Sequence, residues 1–256
     1  IRPAILWNDQ RNAAECSAFI ERMGGLSALL AETRNTMLTG YTGGKIAWLK
    51  AHEPDAFARL THFLNPKDYV RLRLTGEIAT EVSDASGTGL FDVATGRWSE
   101  HATVTAGVEM SALPTCVASS DQTGTVTDEG ARTFGVPAGT PVYGGGGDAV
   151  IQTLGSGVFV PGDLQVTIGT AGIVAGLATA PLDNAAGQLQ VFRNVLPGQW
   201  HTMGVSLNAG GALAWFADLC HGLAGSRDAK PTFSALVDLA VESPPGARGT
   251  FFLPYL

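Results

Sequence analysis

Residues 144–147 are four consecutive glycines, set between a short apolar run, Pro141-Val142-Tyr143, and Asp148, which opens a helical segment. No other stretch constrains the fold so strongly. Glycine loses more backbone freedom on ordering than any other residue, so such a run suits a place where something approaches the backbone closely. The pattern predicts a short buried strand over 141–143, a helix over 149–154, and a carboxylate aimed into a cleft. A carboxylate so placed can accept a proton from a hydroxyl or help to orient a metal ion. In the plainer reading, Asp148 only caps the helix behind it.

Composition narrows the class. With 45% hydrophobic and 15% charged residues, the 256-residue chain can bury a sizeable core in one large or two small domains. That balance excludes disorder. Glycine is abundant, 33 residues, but follows no three-residue period, which excludes a collagen-like chain. The net charge is −7 and no basic run occurs, so neither nucleic acid nor an anionic membrane is an expected partner. An anionic ligand would have to be held by backbone N–H groups, a metal ion or a few isolated cations. Cys16, Cys116 and Cys220 form no CxxC pair, which argues against a disulfide framework or a cysteine zinc site and suits a reducing, cytoplasmic setting. No apolar run approaches the length of a membrane span. The chain opens on Ile1-Arg2-Pro3-Ala4-Ile5-Leu6-Trp7, without signal-peptide anatomy, and closes on the apolar Phe251-Phe252-Leu253-Pro254-Tyr255-Leu256. Both ends read as interruptions, so an excerpt of a longer protein is expected.

Along the chain, Ile5-Leu6-Trp7 reads as a short strand, with Asn8 or Asp9 capping the next helix. Cys16, Phe19, Ile20 and Met23 then recur at helical spacing. Further helices are expected around Leu26–Leu30 and Lys45–Leu49, and another from Pro54, with Phe57, Leu60, Phe63 and Leu64 as its buried stripe. Asn65–Leu74 stops at Thr75-Gly76, a hairpin turns at Ala94–Arg97, and a helix is expected around Asp128–Phe134. Strands 164–168 and 173–177 flank Gly169-Thr170-Ala171-Gly172, and a second hairpin turns at Pro197-Gly198-Gln199. Asn208-Ala209-Gly210-Gly211 opens a helix. Strands interleaved with helices in this way indicate an α/β architecture.

Two of these segments could meet an anion. Small residues and Thr170 in the Gly169–Gly172 turn would let phosphate oxygens reach peptide N–H groups, though an ordinary β-hairpin explains the same residues. The helix start at Gly210-Gly211 offers unpaired N–H groups and a positive dipole end, or merely close helix packing. Neither segment matches GxxxxGK[ST] or GxGxxG. His52, His62, His101, His201 and His221 lack an i, i+4 pair, which disfavours zinc.

Taken in order, several blocks resemble the FGGY carbohydrate kinase family. They are Ile5–Arg11, Gly40–Leu49, Pro66–Tyr69 with Leu74–Glu77, Ser83–Thr88 with Asp92 and Trp98, Gly144–Asp148, Gly169-Thr170, and Gly210–Trp215. The resemblance covers essentially the whole chain. It implies an actin-like, ribonuclease-H-like sugar kinase of two α/β domains, present here in part. Residues 1–157 would be the later part of a sugar-binding domain and 158–256 the first part of a nucleotide-binding domain. It implies ATP and Mg²⁺ as cofactors and a small sugar as substrate, most like a ketopentose such as D-xylulose. It further implies Asp148 as general base, able to reach the metal through water. Gly169, Thr170 and Gly210 would hold the ATP phosphates, and Ala214 would lie beside the nucleotide. Many members carry Asn or Gln where Ala149 stands beside the substrate, so another polyol or sugar acid, such as glycerol or gluconate, is an open alternative. A non-catalytic actin-like binding module is another. A homodimer is compatible with all of these.

Overall fold

The computed structural model describes residues 3–223 and 230–253. Ile1, Arg2 and the closing Pro254-Tyr255-Leu256 lie outside them. The chain forms two compact units, one of residues 1–164 with 176–203 and the other of 165–175 with 204–256.

The first unit begins with helices α1 (Ala13–Arg22), α2 (Leu26–Thr33), α3 (Thr42–His52) and α4 (Pro54–Phe57). The apolar face of α1 gives Cys16, Phe19 and Met23 to a core shared with Leu29, Met37, Tyr41, Ile46, Phe63 and Leu90. Next come α5 (Pro66–Thr75), β1 (Ala79–Glu81), α6 (Val82–Ser86), β2 (Phe91–Asp92), β3 (Arg97–Trp98), α7 (Glu100–Ala106) and β4 (Thr115–Val117). Helix α5 follows local rules closely: Pro66 stands at its start, where no N–H partner is needed, and Gly76 ends it in the left-handed region. Strand β1 pairs in parallel with β4, Ala79 opposite Thr115 and Glu81 opposite Val117. The expected turn at 94–97 joins β2 and β3. Trp98 sets its ring edge-on to both Phe63 and Phe91. The unit continues with β5 (Gln122–Thr125), α8 (Asp128–Phe134), β6 (Pro141–Tyr143) and α9 (Asp148–Gly155).

The largest sheet has four strands, β7 (Leu164–Ile168), β8 (Gly172–Ala178), β9 (Gln190–Arg193) and β10 (Trp200–Ser206), in the order β7-β8-β10-β9. Strands β9 and β10 form the expected hairpin around Pro197-Gly198-Gln199, with Arg193 opposite Trp200. The second unit holds α10 (Gly210–Leu223) and α11 (Phe233–Val241). Ala217 of α10 is buried and Phe216 exposed.

Four local expectations are corrected. Residues 5–7 form no strand; Leu6 and Trp7 are 61% and 72% exposed, and among the described residues no partner strand takes up their backbone groups. Helix α1 is preceded by Asn12 rather than capped from Asn8 or Asp9. Asp9 instead accepts the Arg11 amide and pairs with its guanidinium at 2.8 Å. Helix α4 stops at Phe57, so Phe63 reaches the core from a loop. Strand β6 forms as expected but lies open, with Tyr143 at 53% exposure, since among the described residues it belongs to a two-stranded sheet with β5.

Candidate functional site

Asp148 is the first residue of α9, not its cap; that place belongs to Gly147, and no side chain caps the helix. The carboxylate is exposed and accepts the Ala149 amide at 2.9 Å. Among the described residues, no cation forms an ion pair with it. An exposed anion at the positive end of a helix is electrostatically settled and open to a ligand.

Ordering each backbone residue costs about 1–2 kcal/mol, most for glycine, so the run before Asp148 needs external anchors. It has them. The Gly144 amide donates to the Asp121 carbonyl and the Gly145 amide to that of Ser119, both at 2.9 Å. The Gly144 carbonyl accepts from Arg71 Nη1 at 3.0 Å and Lys67 Nζ at 3.4 Å. The Gly147 amide donates to Ser83 Oγ at 2.9 Å. Only glycine fits at 144, where a Cβ would stand 2.7 Å from the Ala118 carbonyl oxygen.

Beneath the run lies a cluster of buried charge. Glu81, fully buried, accepts from the Ser83 and Asp84 amides at 2.8 Å each and from the hydroxyls of Ser83 and Ser119 at 2.9 and 2.7 Å. Lys67 Nζ lies 2.8 Å from Asp68 and 3.6 Å from both Glu81 and Asp84. Arg71 also bonds Asp68, at 2.5 Å, and donates to the Ala79 carbonyl. Burial, the largest influence, pushes the Asp84 carboxyl up to about 6 despite the opposing pull of Lys67. Burial likewise raises the Cys116 thiol of β4 to about 12, which favours the protonated thiol. The sequence signal for this cluster was the crowding of Lys67, Asp68, Arg71, Glu81 and Asp84 in a chain otherwise poor in charge.

In the second unit, the two glycine-rich segments meet. The Ala209 and Gly211 amides donate to the Thr170 carbonyl at 2.7 and 3.1 Å, and the Gly210 amide donates to that of Gly169 at 2.9 Å. A Cβ on Gly210 would stand 2.5 Å from the Gly169 oxygen, so this position admits no side chain. The Gly210 amide is therefore spent on the hairpin, and its glycine serves close approach. Beside Gly169 there is room, with only the Ala171 oxygen, at 3.9 Å, within reach of a Cβ. Ala214, one turn beyond Gly210 on the same face of α10, is half-buried.

Residues 1–155 match the N-terminal domain of the FGGY family of carbohydrate kinases. The chain belongs to this family. It is 36% identical over 256 residues to the xylulose kinase of Staphylococcus xylosus, covering all of this chain and 51% of that protein. The crystal structure of xylulose kinase from Rhodospirillum rubrum superposes with a TM-score of 0.87 at 31% identity, covering 100% of this chain and 51% of that one. A gluconate kinase structure from Lactobacillus acidophilus shares the fold at TM-score 0.86 and 21% identity, over 100% of this chain and 50% of that one. The FGGY chain thus spans about half the length of the curated relatives it matches, and it carries part of the actin-like, ribonuclease-H-like α/β fold of the sugar kinases. No helix among its described residues is long and apolar enough to cross a membrane.

Proposed function

We propose that the protein phosphorylates a sugar hydroxyl at the expense of ATP, most specifically converting D-xylulose to D-xylulose 5-phosphate, with Asp148 as the general base. The observation that carries this reading is the exposed carboxylate at the start of α9, presented on a glycine run anchored from four sides. Phosphoryl transfer asks a protein mainly for positioning and charge stabilisation. In this scheme Asp148 orients the sugar hydroxyl and takes its proton as the oxygen attacks. Gly169 and Thr170 lie against the nucleotide phosphates through backbone and hydroxyl, Gly210 holds α10 tight to that turn, and Ala214 flanks the nucleotide. Residues 1–157 act as the sugar side and 158–256 as the beginning of the nucleotide side.

Magnesium fits this donor set. Among the described residues, no group of three or more His, Cys, Asp or Glu side chains is arranged to cage a metal. Mg²⁺ needs no such cage, since it keeps several waters and takes one or two carboxylates together with phosphate oxygens. Asp148 would hold it through water, and the ion would neutralise phosphate charge.

Ala149 favours a second reading of the substrate. Its methyl group offers no hydrogen bond to a sugar hydroxyl, so a different polyol or sugar acid, glycerol or gluconate, is the alternative acceptor. A panel of D-xylulose, other pentuloses, glycerol and gluconate, with ADP release measured on the full-length protein, decides between them. D-xylulose is expected to give the highest kcat/KM. Nucleotide binding without ADP release on any acceptor would instead identify a non-catalytic actin-like module.

A further inference from the structure

We propose that Ser83, held by the buried carboxylate of Glu81, is a positioning residue for Asp148. The inference rests on the reading of Asp148 as the base.

The proton inventory at Ser83 fixes which way its hydroxyl points. A serine hydroxyl has one proton and two lone pairs, and an ionised carboxylate only accepts. Ser83 Oγ lies 2.9 Å from both oxygens of Glu81, so its proton goes there. A lone pair is then fixed toward the Gly147 N–H, 2.9 Å away. Glu81 cannot drift, because it is fully buried and takes two amides and the Ser119 hydroxyl besides. Gly147 is the residue immediately before Asp148, and Ser83 makes the last side-chain bond to the chain before the carboxylate.

The same carboxylate reaches the run by a second route. Ser119 donates its hydroxyl to Glu81 at 2.7 Å and offers its backbone carbonyl to the Gly145 amide at 2.9 Å. The two serines therefore make a matched pair. Removing either hydroxyl strips one donor from Glu81. Only at Ser83 does the hydroxyl itself hold the glycine run, whereas an alanine at 119 keeps the carbonyl that holds Gly145.

The test compares Ser83→Ala, Ser119→Ala and Asp148→Asn in the full-length protein. Two readouts are used: steady-state kinetics and amide hydrogen exchange at Gly147. Ser83→Ala is expected to lower kcat about tenfold or more, in line with the sensitivity of catalysis to small misplacements, with KM for ATP within about twofold. Gly147 exchange should quicken by about tenfold or more as its partner is lost. Ser119→Ala should lose at least about fivefold less kcat. Should Ser83→Ala fail to fold, Ser83→Cys keeps the volume while weakening the acceptor, with the same expected kcat loss. Equal losses at Ser83 and Ser119, or kcat within twofold of the parent in Ser83→Ala, overturn the proposal. Asp148→Asn separates the two claims. If it abolishes turnover while Ser83→Ala does not, only the positioning role fails. If it leaves turnover intact, the base reading fails and the positioning role goes with it.

Discussion

Two glycine-rich segments in this chain are ordered by different means. Around Gly144–Gly147 two backbone bonds, to the Asp121 and Ser119 carbonyls, are joined by side chains: Arg71 and Lys67 on one carbonyl, the Ser83 hydroxyl on one amide, and Glu81 behind that hydroxyl. Around Gly169 and Gly210 it is held by backbone, through amides of 209–211 on carbonyls of 169 and 170. The first arrangement is exposed to the loss of a charged or hydroxyl side chain. The second tolerates side-chain changes nearby and is exposed to any added Cβ. Buried charge can aim a functional group, whereas a backbone clamp only brings two segments close.

The largest effect expected is on chemistry. Asp148→Ala should lower turnover by several powers of ten with ATP affinity largely intact, measured by coupled ADP release and nucleotide titration. Retained turnover would break the claim that the side-chain-anchored run carries the reacting group. Next, Glu81→Ala strands several buried donors, and losses of about 3–5 kcal/mol are usual when one member of a buried charged cluster is removed. Urea unfolding of the first unit checks this; a loss under about 1 kcal/mol would mean the cluster is not the anchor.

A pH experiment sharpens the contrast. His201 is wholly buried, bonded to Thr153 at 2.9 Å, and burial pulls its ring down to about 4 from 6.5. Its neutral form is favoured by folding, so its contribution is complete above about 6.5 and is lost as pH falls toward 4. Asp84, raised from 3.8 to about 6, runs the other way: its contribution is complete below 3.8 and is lost as pH climbs through 6. The two slopes oppose each other between pH 4 and 6. His201→Gln should leave a protein whose urea midpoint rises on acidification in that window, and Asp84→Asn one whose midpoint falls more steeply than the parent's. Parallel profiles for all three proteins would contradict this account.

Smaller effects test the backbone clamp. Gly210→Ala must displace the Gly169 carbonyl and is expected to cost about 1–3 kcal/mol, as overpacking does. Gly222→Ala, in the same helix with open space around its Cβ, should instead stabilise by about 0.5–1 kcal/mol. Thermal unfolding of the pair reads both, and similar shifts would mean that the clamp is loose.

Much of the fold was legible locally. Pro66 and Gly76 bound α5, helical spacing marked the face of α1, and short polar turns marked the hairpins at 94–97 and 197–199. The candidate site was legible in part. The glycine run announced Asp148, and the Gly169 and Gly210 segments were visible as separate features. Their mutual bonding was not, nor was the spending of the Gly210 amide on the hairpin. The apolar run at Leu6-Trp7 suggested a strand, yet a strand needs a partner that no local pattern specifies.

Glu81 draws the division most sharply. The order of residues alone determined where helices start and stop and which aspartate follows the glycines, because turn chemistry, capping and periodicity act over a few neighbours. Only the tertiary structure decided that Glu81 is buried against Gly144 and bonded to the serine that holds Gly147, because that required a parallel pairing of β1 with β4 and a hydroxyl from Ser119. A carboxylate can leave water only when donors from distant parts of the chain converge on it.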